Sequence, residues 1–273
     1  MFCDLHTHSV FSDGSLTPAQ LVQQAEEAGL AAIALTDHNT VAGLQEFMAA
    51  GVCSQVETVP GIELSTDWNG TELHLVGLFV QPRHEDTIRT YLADFARRKE
   101  NSNRALVDAL AARNYCLDYA AIQEKAGGYI NRAHIAMELV AKGYVPTVKA
   151  AFSTLLSEKN GLYHPPERIA VTDAIAWFRE MGIVTVLAHP YLNLTQAQLE
   201  ALLPAAKQQG LVAMETLYST YDEATTAAAA ATAERFGLLP SGGSDFHGTA
   251  KPHVHLGVPE VPFSCLEQLK TLR

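Results

Sequence analysis

Strand-like and helix-like segments alternate along two stretches of this chain, and the alternation restricts the fold more than any other feature. Residues 1–84 and 167–273 both show it. In the second stretch, for example, the helical pattern at 171–182 is followed by the apolar run IVTVLA at 183–188. Alternation with short connections is typical of α/β folds with a largely parallel sheet. The pattern predicts either a β/α barrel or a doubly wound sheet.

Local signals define single elements within the first stretch. Thr17 followed by Pro18 is a typical start of a helix, and Gly29 a typical end. Asn69-Gly70 separates two strand-like runs, which predicts a β-hairpin because this dipeptide suits tight two-residue turns.

The segment 85–166 has a different character. It contains helical patterns separated by turns, beginning with one long or two broken helices, and no convincing strand. We therefore predict that residues 1–84 and 167–273 form the α/β domain and that residues 85–166 form an inserted helical domain.

Composition limits the classes of function. The 273 residues are 48% hydrophobic and 18% charged, which is ordinary for a globular protein. A net charge of -11 argues against habitual binding of long nucleic acid, which needs clustered basic residues, but not against a small anionic substrate neutralised by bound metal. Four scattered cysteines and the absence of an apolar leader segment indicate a cytoplasmic protein without a membrane span. The oligomeric state is not indicated.

Polar residues follow the predicted strands at the points where they end. The carboxyl ends of parallel strands meet at one rim of an α/β fold, where active sites are built. These residues are therefore expected to lie together. They are His6, His8, Asp37, His38, Glu63, His189, Asp245 and His247, with His74 within or near the end of its own strand.

The residue types in this set match metal chemistry. Imidazoles and carboxylates are ligands of Zn, Mn and Fe. The HxH spacing places His6 and His8 on one face of an extended strand, and a carboxylate such as Glu63 can bridge two ions. A single histidine of this kind is more often a packed or surface residue, but a whole set at strand ends predicts a metal centre.

Six motifs occur in order: DLHTHSVFSDG, LTDHN, PGIELS, ELHLVG, LAHP and GSDFH. Together they resemble the polymerase and histidinol phosphatase (PHP) family. The resemblance implies a distorted seven-stranded β/α barrel with two or three divalent metal ions, Mn, Fe or Zn, at its carboxyl-terminal rim. It also implies three sets of ligands, with Glu63 shared: His6, His8, Glu63 and Asp245; Glu63, His74 and His189; and Asp13, His38 and His247.

The middle segment resembles one branch of that family. INRAHIAMELVAKG and GLYHPP are similar to the helical insertion of enzymes that dephosphorylate nucleoside 3',5'-bisphosphates, some of which also trim short RNA from its 5' end. The resemblance implies that Arg132 and His134 bind substrate phosphate and face the metals, and that His134 either protonates the leaving oxygen or only binds phosphate. The chain departs from this branch at Tyr191 and Leu192, where a Gly-Arg pair is usual, and in the stretch METLYSTY.

The sequence thus predicts a metal-dependent phosphoric monoester hydrolase. The predicted reaction is attack of a metal-bound hydroxide, with the 3'-phosphate of a nucleoside 3',5'-bisphosphate as the expected target. Alternatives are another small monoester such as histidinol phosphate, a 5'-3' exonuclease activity on short RNA, and a non-catalytic metal-binding module. The expected partner is a small phosphorylated substrate of nucleotide type. Tyr163, Tyr191 and Tyr218 are candidates for a base-stacking pocket or for ordinary packing.

Overall fold

The α/β alternation predicted from the sequence is present in the structure, a computed structural model that describes residues 1–126, 130–157 and 160–273. The first stretch contains β1 (Phe2–Asp4), α1 (Pro18–Glu27), β2 (Ala32–Leu35), α2 (Leu44–Gly51), β3 (Glu57–Trp68) and β4 (Thr71–Leu78). The middle contains α3 (Pro82–Ala111), α4 (Tyr119–Lys125), α5 (Arg132–Ala141) and α6 (Val148–Thr154). The last stretch contains β5 (Ile169–Ala170), α7 (Val171–Glu180), β6 (Val184–Ala188), α8 (Gln196–Gln209), β7 (Ala213–Tyr218), α9 (Glu223–Phe236), β8 (Leu239–Gly243), β9 (Val261–Pro262) and α10 (Phe263–Lys270).

The strands form one sheet that almost closes on itself. Its order is β8-β7-β6-β4-β3-β2-β1-β9, with β5 paired to β3. β8 meets the chain just beyond β1, where the Leu5 amide donates to the Gly242 carbonyl at 3.2 Å and the His8 amide donates to the Phe246 carbonyl at 2.9 Å. Seven strands therefore surround the barrel, while β5 and β9 are two-residue additions. The predicted α/β barrel is confirmed.

The distortion of the barrel has its origin in β4. This strand pairs antiparallel with both β3 and β6, whereas β1–β2, β2–β3, β6–β7 and β7–β8 are parallel. The cause is the predicted hairpin, since Asn69 and Gly70 adopt φ values of 52° and 80°, which a tight turn with two left-handed residues requires. His74 near the start of β4 is therefore brought beside Ser65 of β3 and Ala188 of β6.

The start of α1 follows the predicted signals. The Thr17 side chain accepts a hydrogen bond from the Gln20 amide at 3.2 Å, the Gln20 side chain accepts one from the Thr17 amide at 2.9 Å, and Pro18 occupies the first turn. Gly29 follows the helix with a φ of 72°, which glycine adopts without steric cost.

Among the described residues, none of the helices has the length and hydropathy of a membrane-spanning segment.

Contacts group the chain into two compact units. One unit consists of Met1–Ile88 with Arg168–Arg273, and the other is Arg89–Glu167. The barrel interior is filled by small and branched apolar side chains such as Ala34, Val59 and Val186, because strands that curve tightly leave little room inside.

The second unit has its own apolar core, and its described residues form helices and no strand. Its buried side chains include Leu106, Ile135, Leu139 and Leu156. The first helical pattern forms one helix of 30 residues, α3, rather than two. The assignment of residues 85–166 as an inserted domain stays a prediction.

Candidate metal centre

The first two histidines of the centre lie directly after β1. His6 and His8 are fully buried. The segment that follows β8 fixes the backbone around them, since the Asp245 amide donates to the His6 carbonyl at 2.9 Å. A Cβ on Gly243 would lie 2.6 Å from the His6 amide nitrogen. Only a residue without a side chain lets the two segments approach so closely, so Gly243 helps to bring Asp245 beside the histidines.

Glu63 lies at the middle of the centre and uses both of its carboxylate oxygens. Oε1 is 2.9 Å from Nδ1 of His74 and 3.0 Å from Nε2 of His189. Oε2 faces three further imidazoles at 2.8, 3.3 and 3.4 Å, those of His38, His6 and His8. The carboxylate thus points its two oxygens at two different sets of nitrogens, which is the geometry of a bridging ligand.

Two aspartates complete the ring of donors. Asp245 Oδ1 is 3.1 Å from Nε2 of His8 and 3.4 Å from Nδ1 of His247. Asp13 Oδ1 is 3.3 Å from Nε2 of His247, and Asp13 Oδ2 is 3.9 Å from Nε2 of His38. All nine predicted ligands are therefore brought into one site.

Within this site the donor atoms form four groups whose members lie within 4.8 Å of one another. One group matches the third predicted set and adds His8 to it. The other three groups contain the remaining predicted ligands, together with His8 and His38 from the first group. Glu63 and His6 each belong to two of these three groups. The groups are His8, Asp13, His38 and His247; His6, Glu63 and His189; His6, His8 and Asp245; and His38, Glu63 and His74.

The hydrogen bonding of these side chains is incomplete without a further group. Among the described residues, buried polar atoms without a hydrogen-bond partner include Nε2 of His6, both ring nitrogens of His8, Nδ1 of His38 and Oε2 of Glu63. Leaving a buried donor or acceptor unsatisfied is costly. The unsatisfied atoms are of the types that Zn, Mn and Fe accept, so this donor set fits divalent metal ions.

The electrostatics of the centre favour the metal-binding protonation states of Glu63 and His8. Burial opposes ionisation of Glu63, but the nearby His38, His6 and His74 outweigh it and hold the pKa of this carboxyl well below its ordinary range. Burial, together with the neighbouring imidazoles of His247 and His38, lowers the pKa of His8 well below its ordinary value. The carboxylate is therefore ionised and the His8 imidazole neutral, as metal coordination requires.

Three residues contact the candidate ligands in roles that the sequence analysis did not predict. Glu215 is buried, and its Oε1 accepts a hydrogen bond from Nδ1 of His6 at 2.8 Å. The Tyr218 hydroxyl and the Lys251 ammonium both donate to Oδ2 of Asp245 at 2.7 Å. Glu215 had a signal, because it is the charged residue within the apolar strand AMETLY. Lys251 had none, because it follows a turn in a polar loop.

Asp37 has a structural task and is not part of any of the four groups. Its Oδ1 accepts from the Ser9 amide at 2.7 Å and from the Ser12 hydroxyl at 2.6 Å, and its Oδ2 accepts from the Ser9 hydroxyl at 2.6 Å. Asp37 therefore shapes the loop that carries Asp13.

Arg132 and His134 lie at the start of α5 in the helical unit. Nδ1 of His134 accepts a hydrogen bond from the Asn131 amide at 3.0 Å, so the neutral ring carries its proton on Nε2. The Arg132 guanidinium lies 4.2 Å from the centre of the Tyr163 ring. Their predicted contact with substrate stays a prediction.

The other two tyrosines have partners for their hydroxyls. The Tyr191 hydroxyl donates to Gln196 at 2.6 Å and lies 3.0 Å from the Thr232 hydroxyl, while Tyr218 binds Asp245. These contacts are those of packed side chains, which is one of the two roles predicted for them.

Known proteins similar to this chain include three enzymes. A 5'-3' exoribonuclease of Haemophilus influenzae is 31% identical over 89% of this chain and 89% of its own length. A 3',5'-nucleoside bisphosphate phosphatase of Chromobacterium violaceum is 30% identical over 89% of this chain and 86% of its own length. A phosphoribosyl 1,2-cyclic phosphate 1,2-diphosphodiesterase of Eggerthella lenta is 33% identical over 95% of this chain and its whole length.

The fold has a counterpart among solved structures. A proposed metal-dependent phosphoesterase from Bifidobacterium adolescentis matches with a TM-score of 0.88 and 28% identity, over 99% of this chain and 96% of the other. Residues 4–163 match the family model described as the PHP domain. On the ordered motifs, the barrel and these similarities, the chain belongs to the PHP family of metal-dependent phosphoesterases.

Proposed function

We propose that this protein removes the 3'-phosphate from nucleoside 3',5'-bisphosphates in a reaction that depends on divalent metal ions. The observation that carries the proposal is the buried cluster around Glu63, in which three carboxylates and six imidazoles lie within a few ångströms of one another. The similarity to the bisphosphate phosphatase of Chromobacterium violaceum supports the choice of substrate.

The nine residues would hold two or three ions, with Glu63 bridging two of them. Divalent ions bound there would lower the pKa of water and neutralise charge on the phosphoryl oxygens. The mixed nitrogen and oxygen donors suit Mn, Fe or Zn. The protein's own part is to hold these donors in place, and Glu215 and Asp37 fix the residues around them.

The serines near the centre support a reaction without a side-chain nucleophile. The Ser9 and Ser12 hydroxyls both donate to Asp37 at 2.6 Å, and the Ser244 hydroxyl donates to Asp4 at 2.5 Å. A serine nucleophile needs a general base that accepts its proton and in turn is oriented by a third group. These hydroxyls are instead tied to structural carboxylates.

Arg132 and His134 are proposed to bind a phosphate of the substrate, with residues 85–166 acting as a cap domain. A guanidinium suits this task because it donates to two phosphate oxygens at once. The proton on Nε2 of His134, implied by the bond from the Asn131 amide to Nδ1, would let this ring donate to a phosphate or to the leaving oxygen.

A second candidate activity is 5'-3' exonucleolytic cleavage of short RNA, which the similarity to the Haemophilus influenzae exoribonuclease favours. The same metal cluster would serve a diester as well as a monoester. A non-catalytic module is the weaker proposal, because every predicted ligand position carries a competent side chain. Histidinol phosphate is retained as an alternative small monoester.

The test is a comparison of kcat/KM for Mn²⁺-loaded protein on adenosine 3',5'-bisphosphate, adenosine 5'-monophosphate, histidinol phosphate and a short 5'-phosphorylated RNA. We expect the bisphosphate to be the best substrate and to lose its 3'-phosphate. His8→Ala should abolish turnover, while His255→Ala, on an exposed loop, should not. Faster turnover of RNA would favour the second candidate, and activity that resists a chelator would contradict metal dependence.

A further inference from the structure

Lys251 brings a positive charge directly to the metal centre. Its ammonium lies 2.7 Å from Oδ2 of Asp245, whose other oxygen faces His8 and His247. Lys251 therefore contacts one carboxylate oxygen of Asp245, and the two histidines face the other oxygen.

The backbone fixes this position. Lys251 follows a short 3-10 turn, Gly248–Ala250, and its amide donates to the Gly248 carbonyl at 3.2 Å. The Thr249 amide donates to the Ser15 hydroxyl at 2.9 Å. A Cβ on Gly248 would clash with that same hydroxyl. The turn is thus packed against the loop that carries Asp13, and Lys251 is held in place by the fold.

The contact with Asp245 involves only one of the hydrogen-bond donors of the Lys251 ammonium. A lysine ammonium has three N–H donors, and Asp245 accepts one of them. Oδ2 of Asp245 already accepts a hydrogen bond from the Tyr218 hydroxyl at 2.7 Å, so satisfying this oxygen does not require the lysine. The Lys251 side chain is partly exposed, at 36%.

The residues directly after His189, Pro190–Leu192, carry no charge. Tyr191 and Leu192 are uncharged, and the Tyr191 hydroxyl is bonded to Gln196. Lys251 therefore supplies positive charge at the rim that this segment does not.

We propose that Lys251 binds a phosphate group of the substrate at the edge of the metal centre, beside Asp245. The inference rests on the proposed function for the nature of the substrate. Lys251 is assigned the task of binding and orienting the phosphate, because a compact ammonium binds phosphate as a point charge and can turn from Asp245 toward it.

The experiment measures binding of inorganic phosphate to the full-length Mn²⁺-loaded protein by calorimetry, together with manganese content. Lys251→Met should raise the Kd for phosphate about tenfold with unchanged manganese content, since a charge-assisted hydrogen bond is lost. Lys251→Arg should restore most of the affinity. Lys270→Met is the matched control, because Lys270 pairs with Glu57 and packs over the Phe263 ring. It should leave phosphate binding unchanged.

Three outcomes would overturn the inference. An unchanged Kd in Lys251→Met, or no phosphate binding by the wild type, would show that Lys251 does not bind phosphate. Loss of manganese together with phosphate binding would show that Lys251 only orients Asp245. Because the experiment measures phosphate binding and not turnover, a raised Kd in Lys251→Met would still support the inference if nucleoside bisphosphates prove not to be substrates.

Discussion

The Glu215 carboxylate joins two of the metal-binding segments through both of its oxygens. Oε1 accepts a hydrogen bond from Nδ1 of His6 at 2.8 Å, and Oε2 accepts one from the backbone amide of His189 at 2.7 Å. This leaves Nε2 of His6 directed at Glu63. Such a carboxylate fixes the ring orientation and raises the basicity of a histidine ligand.

Replacing Glu215 by glutamine is therefore expected to weaken metal binding without replacing any ligand. We expect Glu215→Gln to raise the Kd for Mn²⁺ about 10- to 100-fold, which is typical for partners of metal-bound histidines. Glu200→Gln, which removes a partly exposed carboxylate of α8 that pairs with Arg235 of α9, is the matched control. Equal affinities for the two variants would show that Glu215 has no role in metal binding.

Metal affinity should rise with pH. Burial favours neutral imidazoles, but Glu63 and Glu215 raise the pKa of His6 well above its ordinary value, and Glu63 and Glu72 raise the pKa of His74 to about 10. Both rings hold protons at pH 7 in metal-free protein, and a metal must displace a proton from each. Calorimetry at pH 7 in two buffers of different ionisation enthalpy should show a net release of protons on Mn²⁺ binding. No release would contradict these protonation states.

The proton on His74 should also stabilise the metal-free fold. Because the folded-state pKa of about 10 lies above the unfolded value of 6.5, this contribution is fully present below pH 6.5 and is lost as pH rises through about 10. In the presence of a chelator, the free energy of unfolding of the wild type minus that of His74→Gln should decrease between pH 6.5 and 10. A difference that is constant or grows over this range would contradict the prediction.

Arg132 is predicted to distinguish doubly from singly phosphorylated substrates. Arg132→Ala should raise KM for adenosine 3',5'-bisphosphate by more than it raises KM for adenosine 5'-monophosphate. The reason is that only the bisphosphate has a second phosphate for Arg132 to bind. Arg104→Ala is a close control, since Arg104 also lies 4.2 Å from the centre of a tyrosine ring, that of Tyr119. If KM changes equally for both substrates, Arg132 is not the ligand of the second phosphate.

Most of the candidate ligands could be predicted from strand geometry, whereas Asp13 was implied only by the resemblance to the PHP family. HxH at the end of a strand puts His6 and His8 on one face, and the tight turn at Asn69-Gly70 folds β4 back so that His74 lies beside β3. The HxH spacing and the Asn69-Gly70 turn are both local sequence features, and both determine which side chains meet in the folded protein.

Lys251 and Tyr218 could not be predicted in the same way. Lys251 lies only six residues beyond Asp245 in the chain, but the turn between them packs on Ser15, more than 200 residues away. Tyr218 belongs to a strand, and the sequence does not show which face it uses once the register shifts between Glu215 and Leu217. Contacts of this kind depend on packing between distant segments, and no local pattern encodes them.

Crystals grown with Mn²⁺ and measured at the manganese absorption edge would show whether these nine side chains form a metal centre. The anomalous difference map should show two or three peaks, all within coordinating distance of the predicted ligands, with Glu63 touching two of them. A map without peaks in this cluster, from protein that binds Mn²⁺ in solution, would contradict the account.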